Sequence, residues 1–359
     1  MRILHSLRSV AVILLVTLCL DFAVTLFIPA QFLDSWLAAR DRDAYIYDRN
    51  VAWHHEIRPN IETNRLWGQD TYLFKSDALG FRQGECAANN PAAEKDNTVF
   101  VVGDSFTEGL GLPFEQSFAG LLACAYRERG MAARNLGTSI YSPIIYHRKI
   151  EAAARRLDIK PREIVLFLDI SDIHNDAVDY VEIDGRVYSE RPTTTRRVKD
   201  FLKHNFASFG VLFELNQRLL VQHATPITVQ GNELALWTVN KTLYESWGRR
   251  GLETASANLD KVVSQCAEWN CRITLVVYPW PDQIATGDRD SMQVRYWKDW
   301  SARNGVRFVD AFGSFFEGPA EEAIRQNYIP GDVHFNAAGS RAIFDTVWKV
   351  LAGDRASLE

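Results

Sequence analysis

Thr98-Val-Phe-Val-Val-Gly103-Asp104-Ser105-Phe106-Thr107-Glu108-Gly109 decides how the rest of the chain is read. Its first five residues are all β-branched or aromatic, the pattern of a strand buried on both faces, and such strands belong to parallel sheets covered by helices. Gly103 permits a tight turn, and Ser105 then stands at the strand's carboxyl edge. An amphipathic helix over Phe114 to Arg129 follows, ending at Gly130. A serine in that place acts as a nucleophile when a histidine reaches it; the plainer alternative is a helix cap in an ordinary βα loop. The segment is not a Gly-x-Ser-x-Gly elbow, because Thr107 stands two residues after the serine, and it lacks the lysine and glycine spacing of a P-loop.

Outward from this stretch the same alternation continues. Strands are expected at Ala133 to Gly137, Glu163 to Asp169, Arg272 to Tyr278 and Val306 to Asp310, with helices at Ile144 to Leu157, Glu253 to Glu268, Asp290 to Arg303 and Asn336 to Leu351. Five strands separated by helices predict an α/β domain with a parallel five-stranded sheet over 96–352, its ligand site at the carboxyl ends of the strands. An insertion at about 177–252 interrupts it. Within the insertion, Val181 to Tyr188 reads as a hairpin turning at Asp184-Gly185, followed by a basic helical stretch over Arg196 to Leu220. Residues 30–95 read as a connecting, lid-like region with little periodicity.

The partner for Ser105 is sought near the other end, in Gly331-Asp332-Val333-His334-Phe335-Asn336. This segment lies just before the last helix, again on the carboxyl side of the sheet. His334 is one of eight histidines in the chain, and Asp332 is placed to orient its imidazole and stabilise the imidazolium. His174 reads as a loop histidine. Tyr278-Pro-Trp-Pro281 reads equally as a cleft wall or as packing. Adjacent His54 and His55 point apart in a strand and lack further ligands, so a solvent-facing loop is expected there rather than a metal site.

On these residues the chain resembles the SGNH (GDSL-like) hydrolase superfamily, whose first block is Gly-Asp-Ser and whose last block supplies Asp and His. The resemblance runs over about 98–351. Ser76-Asp-Ala-Leu-Gly-Phe-Arg82 is similar to the Gly-Phe-Arg segment that precedes the first block in many bacterial, extracytoplasmic members. The resemblance implies a flavodoxin-like three-layer α/β/α fold, no cofactor, no metal, and ester cleavage or acyl transfer through an acyl-serine. Ser105 would be the nucleophile, His334 the base and Asp332 its orienting acid.

The departures from the pattern fall mainly on the oxyanion hole. Ile140 stands where a glycine usually ends the second block, and Ser171 replaces the asparagine of the third, with Asn175 four residues on as a substitute. The candidate donors are therefore Ser105, Ile140, Ser171 and Asn175, and losing one such donor costs about 2.7–4 kcal/mol of transition-state stabilisation. In the last block the usual aspartate, three residues before the histidine, is Gly331. Asp332 is only two before, a spacing also used by related membrane-linked acetyl-transfer enzymes. The implied substrates are acylated, chiefly acetylated, carbohydrates, or lipid esters; the competing reading is a catalytically weak scaffold that binds polysaccharide or a membrane partner.

Composition and the N-terminus set the surroundings. The 359 residues are 47% hydrophobic and 24% charged, enough for a sizeable core, and the net charge of -5 gives no basic field for nucleic acid. Val10 to Ile28 follows Arg2 and Arg8 and is apolar except for Thr17, Asp21 and Thr25, so it reads as an uncleaved transmembrane signal anchor within 10–29, behind a cytoplasmic tail at 1–9. The folded mass would then be extracytoplasmic, in a periplasm-like compartment. Thr17, Asp21 and Thr25 share a helix face that suggests a membrane-protein partner. Of five cysteines, Cys19 lies in the span; Cys86, Cys124, Cys266 and Cys271 permit two disulfides, with Cys266 and Cys271 read as a local pair.

Overall fold

The computed structural model describes residues 16, 19, 21–29, 46–50, 52–68, 70–86, 97–189, 202, 206–212 and 232–353. By internal contacts the chain divides into two units, 1–46 with 191–225, and 47–190 with 226–359.

The second unit begins with two antiparallel pairs, β1 (Tyr47–Asn50) with β2 (His54–Ile57), and β3 (Glu62–Trp67) with β4 (Asp70–Lys75). The parallel sheet follows: β5 (Thr98–Val102), β6 (Ala132–Asn135), β7 (Glu163–Leu168), then, after a hairpin of β8 (Tyr180–Ile183) and β9 (Arg186–Ser189), β10 (Arg272–Val277) and β11 (Arg307–Asp310). Its order is β11-β10-β7-β5-β6 with every neighbouring pair parallel. Counted along the chain and read from the β6 edge, this is the flavodoxin-like order, with its switch point between β5 and β7. Every residue of β5 and β7 is buried, which is why these strands read as unbroken apolar runs rather than alternating ones.

Helix α1 (Ser105–Glu108) opens directly from β5, and α2 (Phe118–Glu128), α3 (Pro143–Leu157), α4 (Arg249–Trp269), α5 (Met292–Asn304) and α6 (Ala337–Gly353) cover the sheet. α3, α4 and α5 pack on one face, and α2 against α6 on the other. The reversal of direction between β5→β6 and β6→β7 requires this split, because parallel crossovers are right-handed.

Residues 47–75 are more regular than their sequence suggests. β3 reads Glu-Thr-Asn-Arg-Leu-Trp, and its buried position is Arg65, so a period of two is present with a cation on the inward face. The Gly-Phe-Arg segment lies alongside β6, where Arg82 bridges Asn135. Its Gly80 has φ +78°, and a Cβ there would stand 2.2 Å from the Ile57 carbonyl oxygen. Arg82, only 2% exposed, donates to the carbonyls of Glu108, Gly109 and Leu112 and so caps the exit of α1.

Both disulfides form. Cys266–Cys271 joins the end of α4 to the start of β10, and Cys86–Cys124 ties the segment after Arg82 to α2 across 38 residues. The longer loop removes more chain entropy from the unfolded state, about 4 kcal/mol on the loop-closure estimate.

In the first unit, residues 21–25 are helical. The Asp21 carboxylate accepts the backbone N–H groups of Ala207 at 3.2 Å and Ser208 at 3.0 Å, together with the Ser208 hydroxyl, at the start of a helical stretch over 207–212. The polar face expected to meet a partner protein thus has an acceptor site used within the chain, at a helix N-terminus. Among the described residues no helix is long and apolar enough to cross a membrane. Most of the expected anchor, and most of the basic stretch 196–220, lie outside the described residues.

Candidate active site

Ser105 is the first residue of α1. Asp104 caps that helix, its Oδ1 accepting the Phe106 N–H at 2.9 Å, and Gly103 is required by close approach, since a Cβ there would lie 2.1 Å from Thr107 Oγ1. The Ser105 N–H has no acceptor among the described residues, as expected for the first N–H of a helix.

His334 arrives from the segment before α6. The Ser105 hydroxyl and His334 Nε2 are 2.8 Å apart, and His334 Nδ1 lies 2.5 Å from Asp332 Oδ1, which also accepts the His334 backbone N–H at 2.9 Å. Asp332 ends a turn in which its N–H donates to the Ile329 carbonyl at 3.0 Å, with Pro330 and then Gly331 (φ +73°) at the corner. Gly331 fits that left-handed place and an aspartate would be strained in it, so the acid comes one residue later. Burial would raise the Asp332 pKa, but the charge and hydrogen bonds of His334, with a bond from Trp67, bring it below the usual carboxylate value. Burial alone would lower the His334 pKa; Asp332 outweighs it and the net shift is upward.

Trp67 was not legible as a site residue. Its indole Nε1–H donates to Asp332 Oδ2 at 3.0 Å, and its ring stands edge-on to the His334 imidazole with centroids 5.6 Å apart. Phe106 lies on the other ring contact of His334, at 4.6 Å. The region expected to be a connector therefore supplies a wall of the acid–base pair. The missed signal was a tryptophan at the end of a short strand and next to a turn, Trp67-Gly68.

The oxyanion candidates separate into two kinds. The Ser171 hydroxyl donates to Asp169 Oδ1 at 2.6 Å, and the Asn175 amide donates to Asp179 at 2.7 Å. Ser171 is corrected as an oxyanion donor, because its hydroxyl has a single proton, already given to a carboxylate; the Asn175 amide gives one of its two N–H groups to Asp179. Ile140 keeps a free N–H among the described residues, in a turn closed by Tyr141 N–H to the Thr138 carbonyl at 3.1 Å. Its φ is +66°, a backbone suited to glycine; a β-branched residue held there costs about 1–3 kcal/mol. The isoleucine thus retains the glycine's backbone geometry, and its side chain is 60% exposed.

Glu108, also unanticipated, anchors this turn. Fully buried, its carboxylate accepts from Arg65 at 2.8 Å, from the Tyr47 hydroxyl at 2.8 Å, and from the Ser139 N–H at 2.7 Å and hydroxyl at 2.8 Å. Burial would raise its pKa, but Arg65 and these donors hold it below the ordinary value.

Beside Ser105, Asp104, Asp169 and Asp172 offer carboxylate oxygens within 4.8 Å of one another. Asp169 accepts from Ser171 and, at 2.6 Å, from Trp280 Nε1, while Asp172 accepts from the Tyr146 hydroxyl at 2.7 Å. Burial, then mutual repulsion, drives Asp104 and Asp172 well above the usual carboxylate range. Tyr278 and Trp280 are buried, as packing residues. His174 bonds Asp179 at 3.0 Å. His54 and His55 do not point apart: His54 has φ +82°, and the two Nδ1 atoms meet at 2.8 Å.

No family model matches the chain, and no curated protein does. Among solved structures it is similar to a member of the lipolytic protein G-D-S-L family from Veillonella parvula, 14% identical over 71% of this chain and 98% of that one, with a TM-score of 0.41. It is also similar to the psychrotrophic esterase EstA from Pseudoalteromonas sp., 14% identical over 72% of this chain and 98% of that one, TM-score 0.41. A third is a catalytic mutant of Axe2, an acetylxylan esterase from Geobacillus stearothermophilus, 15% identical over 71% of this chain and 94% of that one, TM-score 0.38. At these identities and scores the neighbours assign no activity to this chain, whose chemistry rests on its own side chains.

Proposed function

We propose that the chain is an SGNH-type serine esterase or O-acyltransferase, acting on acyl esters, chiefly acetyl esters, of extracytoplasmic carbohydrate. The observation that carries the chemistry is the pair of contacts Ser105 Oγ–His334 Nε2 at 2.8 Å and His334 Nδ1–Asp332 Oδ1 at 2.5 Å. As Ser105 Oγ attacks the acyl carbonyl, His334 Nε2 takes its proton and Asp332 stabilises the imidazolium. The tetrahedral intermediate collapses, the ester C–O bond breaks, and the imidazolium proton passes to the departing sugar oxygen. Water or a second sugar hydroxyl then attacks acyl-Ser105, giving its proton to His334, which returns it to Ser105 Oγ. Water yields the free acid; a hydroxyl yields a new ester. No cofactor or metal enters any step.

The carbohydrate preference follows from the resemblance and the expected compartment, and a lipid ester is the alternative for a site tethered to a bilayer. The apolar run Val10 to Ile28 behind Arg2 and Arg8 supports the single-pass anchor in a bacterial-type inner membrane. Incubating the full chain in detergent with an acetylated oligosaccharide, with and without an unacetylated acceptor, separates the outcomes: acetate release marks hydrolysis and a new acetylated glycan marks transfer, both absent in Ser105→Ala.

A second reading, a weakly catalytic polysaccharide-binding scaffold, is favoured by the commitment of the Ser171 and Asn175 side chains to carboxylates. Glycan binding retained in Ser105→Ala, with no turnover by the parent chain, would select it.

A further inference from the structure

We propose that His55 is a positioning residue for the oxyanion hole: it fixes the Ser139–Ile140 peptide so that the Ile140 N–H acts as a donor beside the Ser105 N–H. The inference rests on the serine-esterase reading and deepens it.

The loop after β6 lies along α1. Asn135 donates to the Thr107 carbonyl at 2.7 Å, the Thr138 N–H to the Gly103 carbonyl at 3.3 Å, and a Cβ on Gly137 would stand 2.6 Å from the Glu108 nitrogen. At the tip of this loop nearly every polar atom is held. Glu108 accepts the Ser139 N–H and hydroxyl, His55 Nε2 meets the Ser139 carbonyl at 2.7 Å, and the Tyr180 hydroxyl donates to the Ile140 carbonyl at 2.9 Å. The exception is the Ile140 N–H, which has no acceptor among the described residues. In a trans peptide the carbonyl and the following N–H point to opposite sides, so a donor pinned on the Ser139 carbonyl sets the direction of the Ile140 amide.

The proton positions follow from the partners. A carbonyl only accepts, so His55 Nε2 carries the hydrogen. Burial keeps His55 neutral, its pKa pushed down to about 4, so its Nδ1 is an acceptor and the facing His54 Nδ1 donates. The left-handed backbone of His54 turns its ring onto His55, and the Tyr141 hydroxyl holds the His55 carbonyl at 2.6 Å. Two adjacent histidines, a tyrosine from the inserted hairpin and a buried glutamate thus converge on the Ser139–Ile140 turn, with His55 alone on the carbonyl of the peptide that carries the Ile140 N–H.

The test uses an aryl acetate and its thiono analogue with the full chain in detergent, because a carbonyl sulfur is a poor partner for N–H donors aimed at an oxyanion. His55→Ala is expected to lower kcat on the oxygen ester by about 10–100-fold, with KM changed less than about threefold, and to shrink the oxygen-over-sulfur preference by a similar factor. His55→Gln, whose amide reaches the same carbonyl, restores most of both. Tyr180→Phe gives a smaller loss of the same kind and serves as the readout where His55→Ala fails to fold. Unchanged kcat and unchanged oxygen-over-sulfur preference in folded His55→Ala or Tyr180→Phe, with Ser105-dependent turnover intact in the parent, would overturn this inference alone. A parent chain without Ser105-dependent turnover would overturn it together with the esterase reading.

Discussion

The acid–base side and the oxyanion side of the site are assembled by different means. On the first, Ser105 and His334 come from positions 229 residues apart and meet through their side chains. On the proposed mechanism, replacing either removes the function directly. On the second, the donors left without an acceptor among the described residues are the backbone N–H groups of Ser105 and Ile140, whose directions depend on Asp104, Glu108, His55 and Tyr180. Side-chain identity matters little at the donor and a great deal at the residues that hold it. This is why a glycine position can carry isoleucine while the local backbone keeps the glycine's geometry.

The largest effect that breaks the comparison on the acid–base side is Ser105→Ala, expected to lower kcat/KM by about 10⁴–10⁶-fold in steady-state hydrolysis of an activated acetate. Asp332→Asn follows, at about 10³–10⁴-fold, because the imidazole loses its tautomer and its counter-charge. That variant also reports on pH. With His334 as the proposed base, activity is expected to fall as pH drops through its pKa, which Asp332 raises above the ordinary histidine value. In Asp332→Asn this acid limb moves to lower pH. The stability linked to His334 has the opposite sign: it is fully present below the ordinary histidine pKa and is lost as pH rises through the raised one.

On the oxyanion side, Glu108→Gln leaves Arg65 buried beside a neutral partner, and a destabilisation of about 3–5 kcal/mol is expected in urea or thermal unfolding. The parent's contribution from Glu108 is present above the usual glutamate pKa and is lost as pH falls through the depressed value. The smallest effect sharpens the contrast. Ser171→Ala should change kcat by less than about tenfold, because its hydroxyl serves Asp169; a loss of about 10²–10³-fold would return it to the oxyanion hole.

The sheet and the meeting of Ser105, His334 and Asp332 were legible because both are written locally. β5 and β7 are unbroken apolar runs bounded by turns, and Gly-Asp-Ser and Asp-x-His are short segments at strand carboxyl ends. Arg65, Trp67, Glu108 and His55 were not legible, because each acts across the fold: Trp67 reaches Asp332 over 265 residues, and His55 reaches Ser139 over 84. The alternation of β3 was masked by its buried Arg65, whose charge is satisfied only once Glu108 is beside it. The opposed histidine rings depended on a left-handed backbone at His54 that no residue type announces. Ser171 was misassigned for a related reason: its position matched a donor's, but the acceptor that claims its proton lies two residues earlier, in Asp169.

The most direct test of the central claim is peptide mapping by mass spectrometry after treating the full chain with a fluorophosphonate. A single phosphonyl adduct on Ser105, absent in Ser105→Ala and formed at least about 100-fold more slowly in His334→Ala, is the expected result. No adduct on the folded parent chain, or an adduct at another residue that persists in Ser105→Ala, would contradict it.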